Sequence, residues 1–348
     1  MPNSDSPTRP YKPFADAAAT SARDGRPARR RPLLVTHGGT FHLDDAFAYA
    51  VLRSALGLGE AGRDHELLRT RDEAAIADAD VVWDVGAAYD PARGRFDHHQ
   101  RGAPVREDGT PFSAAGLIWR HHGRATVAAL LGDGNLAPVV AFALDHEMVR
   151  RIDETDNGMG EPGDALGLAG LVADLNPFWD SPAVGDRAAE DAAFLRAADL
   201  AGAVLRHRVE AVRARLAADA VVLAAHARSA DPRVLELDRK MPWESPVFAH
   251  GLPVLYAVYP VPNGNWMVDA MPPVPGSFQQ RLPLPAAWAG LRDAELAAAS
   301  GVPDAVFVHL RRFVGAACSR GGALAMARGA IETGFDPAET PRPLRPET

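Results

Sequence analysis

Cysteine is nearly absent from this chain of 348 residues: only Cys318 is present. That excludes an internal disulfide and any thiolate-rich metal site. A metal ion here must be held by His, Asp and Glu. Lysine is almost as scarce, at Lys12 and Lys240, so positive charge is carried by arginine. No apolar run approaches the roughly 20 residues needed to cross a bilayer. No apolar stretch near the N-terminus reads as a signal peptide. These absences predict a cytoplasmic protein with no membrane partner. What is present is ordinary for a globular chain: 47% hydrophobic and 24% charged residues, enough for two domains. The net charge of -8 is unevenly spread. Residues 1–31 carry seven basic and three acidic groups, residues 32–231 carry 19 and 31, and residues 232–348 carry 11 of each. The acidic middle is a poor general surface for a phosphate backbone and a natural place to hold cations.

Residues 1–31, rich in Pro, Ser, Ala and Arg, show no periodic apolar pattern and read as a disordered basic extension. A strand–helix alternation follows. "PLLVTH" (32–37), "HELLRTR" (65–71), "DVVWDVG" (80–86) and "RFDHH" (95–99) read as short strands, the last as a strand end. "DDAFAYAVLRSAL" (44–56), "DEAAIADA" (72–79), "SAAGLIWRHHG" (113–123) and "APVVAFALDHEMVRRIDETDNG" (137–158) read as helices. This order predicts an α/β domain over 32–185, with a doubly wound, mostly parallel sheet covered by helices on both faces. Residues 186–230 read as a long helical linker with a break near 218–221. Residues 231–333 read as a smaller α/β or α+β domain, and 334–348 as a tail.

The chemistry collects at predicted strand ends. His37 follows "LLV", Asp84 follows "VVW", and Asp97, His98 and His99 follow "RF". In open parallel sheets ligands bind at that edge. On an extended strand the adjacent His98 and His99 would point to opposite sides. His42 and Asp44 lie on the loop leaving the first strand. Asp153 and Asp156 end a helix that could return to the same edge. Such groups suit a pair of divalent ions, because carboxylates can bridge and imidazoles add no negative charge. The mixed N/O set favours Mn²⁺ over Mg²⁺. Other polar residues have plainer readings. Asp45 could equally decorate a helix N-terminus. Asp156 alone would be a cap or turn residue. His121 and His122 fit a helix C-terminus, His146 and His207 fit solvated faces, and Cys318 fits a packed position.

Taken together, the stretches "THGGTFHLDDA" (36–46), "VVWDVGAAYDPARGRFDHHQRG" (81–102), "SAAGLIW" (113–119), "DETDNG" (153–158), "LNPFWD" (175–180) and "SFQQRLPLPAAWAGLRDAEL" (277–296) resemble the melanocyte proliferating gene (MYG) family, within the DHH phosphoesterase superfamily. The similarity covers about residues 33–330. It implies a DHH-like catalytic domain over 32–185, a substrate-binding domain over 231–333, and substrate held between two lobes. It implies a metal-dependent phosphoesterase, a 3′–5′ exonuclease on RNA or short oligonucleotides, in which hydroxide activated by two ions attacks phosphorus. By that analogy Asp84 would bridge the ions, His37 and His42 would serve one, and Asp44, His98 and Asp156 the other. Asp97 would hold or ligate from behind, and His99 and Arg101 would meet the phosphate.

Two departures stand out. The superfamily's first motif is H-x-x-x-D-x-D, whereas here His37 is followed by His42 and Asp44. A Gly-Gly-His-Arg-like run near the C-terminus is replaced by "RFVGAACSR" (312–320), which keeps only Gly315. Arg281 then becomes the better candidate for gripping substrate there. The competing activities are a phosphatase on pyrophosphate, polyphosphate or a nucleotide, and a non-catalytic, metal-stabilised RNA-binding protein. An amidohydrolase-type site would start with His-x-His, and four residues separate His37 from His42. The expected partner is a single-stranded RNA or oligonucleotide end, and a homo-oligomer is left open.

Overall fold

The computed structural model describes residues 31–160 and 166–334. Apart from Arg31 and Gly334, the extension and tail expected over 1–31 and 334–348 lie outside the described residues. The chain divides into two compact units, 1–213 and 214–348.

Unit 1 begins with the alternation that the sequence predicts: β1 (Leu33–Thr36), α1 (Leu43–Leu56), β2 (Glu66–Arg69), α2 (Glu73–Asp78), β3 (Val81–Trp83), β4 (Tyr89–Asp90) and β5 (Arg95–Phe96). The helices α3 (Ala114–Leu131), α4 (Ala137–Leu144), α5 (Arg150–Asp156) and α6 (Leu168–Ala173) follow, and then α7 (Arg187–Arg228), which belongs to unit 1 as far as residue 213 and to unit 2 beyond it. The strand order is β2-β1-β3-β5-β4. β1 pairs in parallel with β2 and β3, and β3 in parallel with β5; only the edge strand β4 is antiparallel. Alternation along the strands fills two faces. Leu34, Val81 and Trp83 face the core shared with α1 and α3. Val35 and Val82 join a smaller cluster with Ile76 of α2. Both faces are thus covered, as a mostly parallel sheet requires.

Three expectations are corrected. α3 does not stop at Gly123 but runs to Leu131, so His121 and His122 lie mid-helix. Gly123 is tolerated because the Trp119 indole lies across it; a Cβ there would sit 2.7 Å from the ring. α7 has no break at 218–221, since the Val221–Val222 pair costs only a few tenths of a kcal/mol of helix propensity among alanines. Its first half packs into the unit 1 core through Phe194, Ala201 and Val209, so it is more than a connector. Cys318 is exposed, not packed, because it lies just beyond the end of a strand.

Unit 2 contains β6 (Val234–Glu236), α8 (Glu244–Ala249), β7 (Tyr256–Pro260), β8 (Trp266–Ala270), α9 (Asp293–Ser300), β9 (Ala305–Val308), β10 (Val314–Ala317) and α10 (Arg320–Gly334). The order β6-β7-β8-β10-β9 is antiparallel except between β6 and β7, which is an α+β arrangement. Among the described residues, no helix is long and apolar enough to cross a membrane.

Candidate metal centre

The parallel register brings the C-terminal ends of β1, β2, β3 and β5 to one edge. A cavity of about 650 Å³ opens there, lined by His37, Arg71, Asp84, His98, His99 and Asp156 among others. Its walls come from four strand ends and the end of α5. That shared edge is why residues so far apart in the chain meet.

Asp84 is the hub. It follows β3 directly and adopts a left-handed backbone, φ 56°, which a non-glycine residue holds only at a cost of order 1–3 kcal/mol. Its Oδ2 lies 3.1 Å from His37 Nε2 and its Oδ1 lies 3.2 Å from His98 Nε2. Burial would raise the Asp84 pKa, but the His37 and His98 hydrogen bonds reverse the sign and hold it at about 2. Burial would likewise lower the His37 pKa, but Asp45 and Asp84 outweigh it and push it up to about 10. The pocket therefore calls for positive charge at its centre.

Three groups of donor atoms, each within 4.8 Å of one another, share these residues: His37, Asp45 and Asp84; Asp44, His98 and Asp156; and Asp84, Asp97, His98 and His99. Two observations test whether they fit metal ions. His37 Nδ1 lies 3.2 Å from the Gly38 carbonyl. With that nitrogen donating, a neutral ring turns the Nε2 lone pair toward Asp45, at 2.9 Å, and Asp84. Lone pair against carboxylates is repulsive unless a cation lies between: in the ion-free protein the raised pKa keeps a proton on Nε2 in that place, and a divalent ion would replace it. Asp44 is fully buried, and both its oxygens lack a hydrogen-bond partner among the described residues. Asp156 could bond to it only if one of the two held a proton. Burial, with the charges of Asp84, Asp156 and Asp45, holds its pKa well above the usual carboxylate range. A buried carboxylate beside two others fits a cation ligand, with a proton shared with Asp156 standing in for it in the ion-free protein. The residues fit divalent ions.

The sequence-predicted residues are placed as follows. His37, Asp44, Asp84, Asp97, His98, His99 and Asp156 fall in the donor groups. His42 lines the cavity but joins none of them; its ring centroid is 6.1 Å from that of His37. Asp45 joins His37 and Asp84 in the first group. As the third residue of α1 it lies on the inward stripe with Ala48, Tyr49 and Leu52, all buried. The stripe through Asp44, with Phe47, Ala48 and Val51, is buried just as fully, so helical spacing does not single out position 45. Asp97 is a brace. Its Oδ1 accepts from the His98 backbone at 2.8 Å and lies 2.7 Å from His99 Nδ1. His98 and His99 do not point to opposite sides, because β5 ends at Phe96 and strand alternation ends with it. Their rings lie 4.3 Å apart. Arg101 is exposed and outside the cavity lining, whereas Arg71 lines it and has no ion-pair partner among the described residues. Arg71 follows β2, so the strand-edge argument applies to it as well.

Asp156 is positioned from behind. One turn earlier, buried Asp153 accepts from Ser113 N (3.0 Å) and Oγ (2.7 Å) and from Arg106 Nε (2.7 Å). Arg106 also forks onto Asp145 at 2.7 and 3.0 Å. Gly116 admits this contact, since a Cβ there would lie 2.2 Å from Asp153 Oδ1. In unit 2, Arg281 donates to the carbonyls of Leu252 (2.8 Å) and Val254 (3.0 Å) and lies over the Phe248 ring. Gly315 is buried in β10, where a Cβ would meet the Phe307 carbonyl at 3.0 Å. Both have packing roles here.

The fold and the cluster define a class: an α/β protein whose parallel sheet carries a carboxylate–imidazole centre of the divalent-metal type at its C-terminal edge. Residues 33–331 match the MYG1 exonuclease family model, described as "Uncharacterised protein family (UPF0160)", and the chain belongs to that family. It is 38% identical to the MYG1 exonuclease of Homo sapiens over 330 residues, covering 86% of each chain. It is 36% identical to the MYG1 exonuclease of Bos taurus over 343 residues, covering 90% of this chain and 88% of the relative. The MYG1 protein of Dictyostelium discoideum is 30% identical over 317 residues, at 84% and 94% coverage. Among solved structures, RecJ of Thermus thermophilus in complex with Mg²⁺ matches at 14% identity with a TM-score of 0.26. That match covers 87% of this chain, which spans about half (49%) of the RecJ chain. The score is too low for the likeness to carry an argument.

Proposed function

We propose that this chain is a metal-dependent hydrolase of phosphodiester bonds, an exonuclease acting on single-stranded RNA or short oligonucleotide ends with 3′–5′ polarity. The observation that carries the reading is Asp84, whose two oxygens each face a different histidine at the meeting point of the donor groups. That is what a bridging ligand between two ions requires. His37, Asp45 and Asp84 would hold one ion, and Asp44, His98, Asp156 and Asp84 the other. Bound ions supply Lewis acidity and neutralise charge on the phosphoryl group. The N/O donor set favours Mn²⁺, with Mg²⁺ as second choice.

The protein's own groups do the rest. Arg71 is the cation in the cavity for a non-bridging phosphate oxygen. Asp97 holds His99 by Nδ1, which leaves Nε2 of an exposed ring to give or take a proton at the departing oxygen. Few cations surround the acidic unit, so contact with on the order of two to four phosphates is expected, and engagement is at a chain end. The test pairs linear and covalently closed circular RNA, with DNA alongside, in the presence of Mn²⁺. The linear RNA is degraded to mononucleotides and the circle resists. Asp84→Asn, folded by circular dichroism, is inactive on both. Near-normal activity of that variant, or rapid cutting of the circle, would sink the reading.

A further inference from the structure

The "LNPFWD" stretch takes no part in the centre described above, yet it presents two of the most exposed aromatic rings in unit 1. Phe178 is 73% exposed and Trp179 is 89% exposed. Burying rings of this size is ordinarily favourable by a few kcal/mol, so two adjacent ones left in water call for an occupant. The turn that carries them is braced. Leu175 packs against the unit 1 core, and the Ser181 N–H donates to the Phe178 carbonyl at 2.8 Å. Asn176 grips the metal-site loop with both ends of its amide: Oδ1 accepts from Phe41 N at 3.0 Å, and Nδ2 donates to Phe41 O at 2.9 Å. Phe41 is itself buried, edge-on to Phe194 at 5.8 Å. Its chain neighbours Thr40 and His42 both line the cavity. Trp179 is three residues from Asn176, so it lies within about 10 Å of the clamp by chain length alone.

We propose that Phe178 and Trp179 form a stacking platform for a nucleobase of the single-stranded nucleic acid whose end lies in the metal-site cavity. The proposal rests on the phosphodiesterase reading for the identity of that ligand. Every base has a π-face, so a platform of this kind binds chain ends of any sequence. The neighbouring acids Asp174 and Asp180, both exposed, disfavour contact with phosphates at the turn itself. They therefore favour a base over a backbone there, and they also disfavour an anionic membrane surface.

The test varies the base and the ring together. Labelled oligouridylate is compared with the same strand made abasic at the four nucleotides nearest each end. Binding is read by fluorescence anisotropy in EDTA, independently of turnover. The wild type should bind the base-bearing strand about tenfold more tightly than the abasic one. Trp179→Ala should lose that preference, and Trp179→Phe should recover part of it. An equal preference in wild type and Trp179→Ala overturns the platform. So does a change of oligomeric state in Trp179→Ala with the preference intact, which would mark the patch as an interface between copies. Separately, wild-type protein with Mn²⁺ should hydrolyse bis(p-nitrophenyl) phosphate and Asp84→Asn should not. Failure there counts against the phosphodiesterase reading, while the anisotropy result still decides the platform.

Discussion

Neutralising Asp44 should make the metal-free protein more stable and the metal-loaded protein less so. Asp44 is fully buried, its two oxygens have no hydrogen-bond partner among the described residues, and Asp84, Asp156 and Asp45 all repel it. Leaving one buried acceptor unpaired costs about 1–3 kcal/mol, and more for a charge. In Asp44→Asn the repulsion disappears, and the amide nitrogen can donate to a neighbouring carboxylate. A gain of about 2 kcal/mol follows, which for a unit of this size is roughly 4–8 °C in the midpoint of thermal unfolding. Metal acts in the opposite direction. An ion at 100 times its Kd adds about 2.7 kcal/mol per site to the wild type. The variant has lost a ligand and should gain far less. Calorimetry of both proteins, in EDTA and in saturating Mn²⁺, should therefore show the order of stability crossing over. A variant less stable than wild type in EDTA, or equally stabilised by Mn²⁺, would refute the assignment of Asp44 as a ligand held in place against its own electrostatics.

Two further predictions concern the scaffold. His122 is buried beside Phe96, and burial, with the neighbouring His121, lowers its pKa from 6.5 to about 4. The unfolded chain then binds the proton more readily, so no stability is lost above pH 6.5, and stability falls as pH drops from 6.5 to about 4, by about 3 kcal/mol in total. His122→Leu should shrink that loss, and urea midpoints of both proteins from pH 7 to 4 check it; parallel curves would contradict the buried neutral imidazole. Gly116→Ala drives a Cβ to 2.2 Å from Asp153 Oδ1. It should cost about 3 kcal/mol by breaking a buried ion pair, and it should weaken metal binding through Asp156, as isothermal titration with Mn²⁺ would show.

The sequence conveys the site more fully than the substrate grip, and the reason lies in what kind of information each needs. A run such as "LLVTH" or "VVWD" says in one line that an apolar strand is followed by a polar residue. Parallel pairing then brings all such residues to one edge, so His37, Asp84 and His98 can be placed together from spacing alone. The same logic applies to "LLRTR" and points to Arg71, but arginine after a strand reads as surface until the register of β2 is known. Asp45 is hidden by its neighbour. Two adjacent acids at a helix start look alike, and the helix is buried all round from Leu43 to Leu52, so only the donor geometry shows that both face the site. His99 is misplaced when alternation is carried past Phe96, where β5 ends. The mid-helix position of His122 is masked because Gly123 looks like a helix end, whereas it is the gap into which the Trp119 indole folds. Arg281 and Gly315 are a different case. A well-matched stretch marks positions that matter without saying whether they matter for packing or for ligand. Arg281 Nη1 donates to two carbonyls, and Gly315 uses its missing side chain for the close approach of β9. By contrast, the rings of Phe178 and Trp179, in an equally well-matched stretch, stay exposed, and that difference is what makes them the residues on which a test of substrate contact should begin.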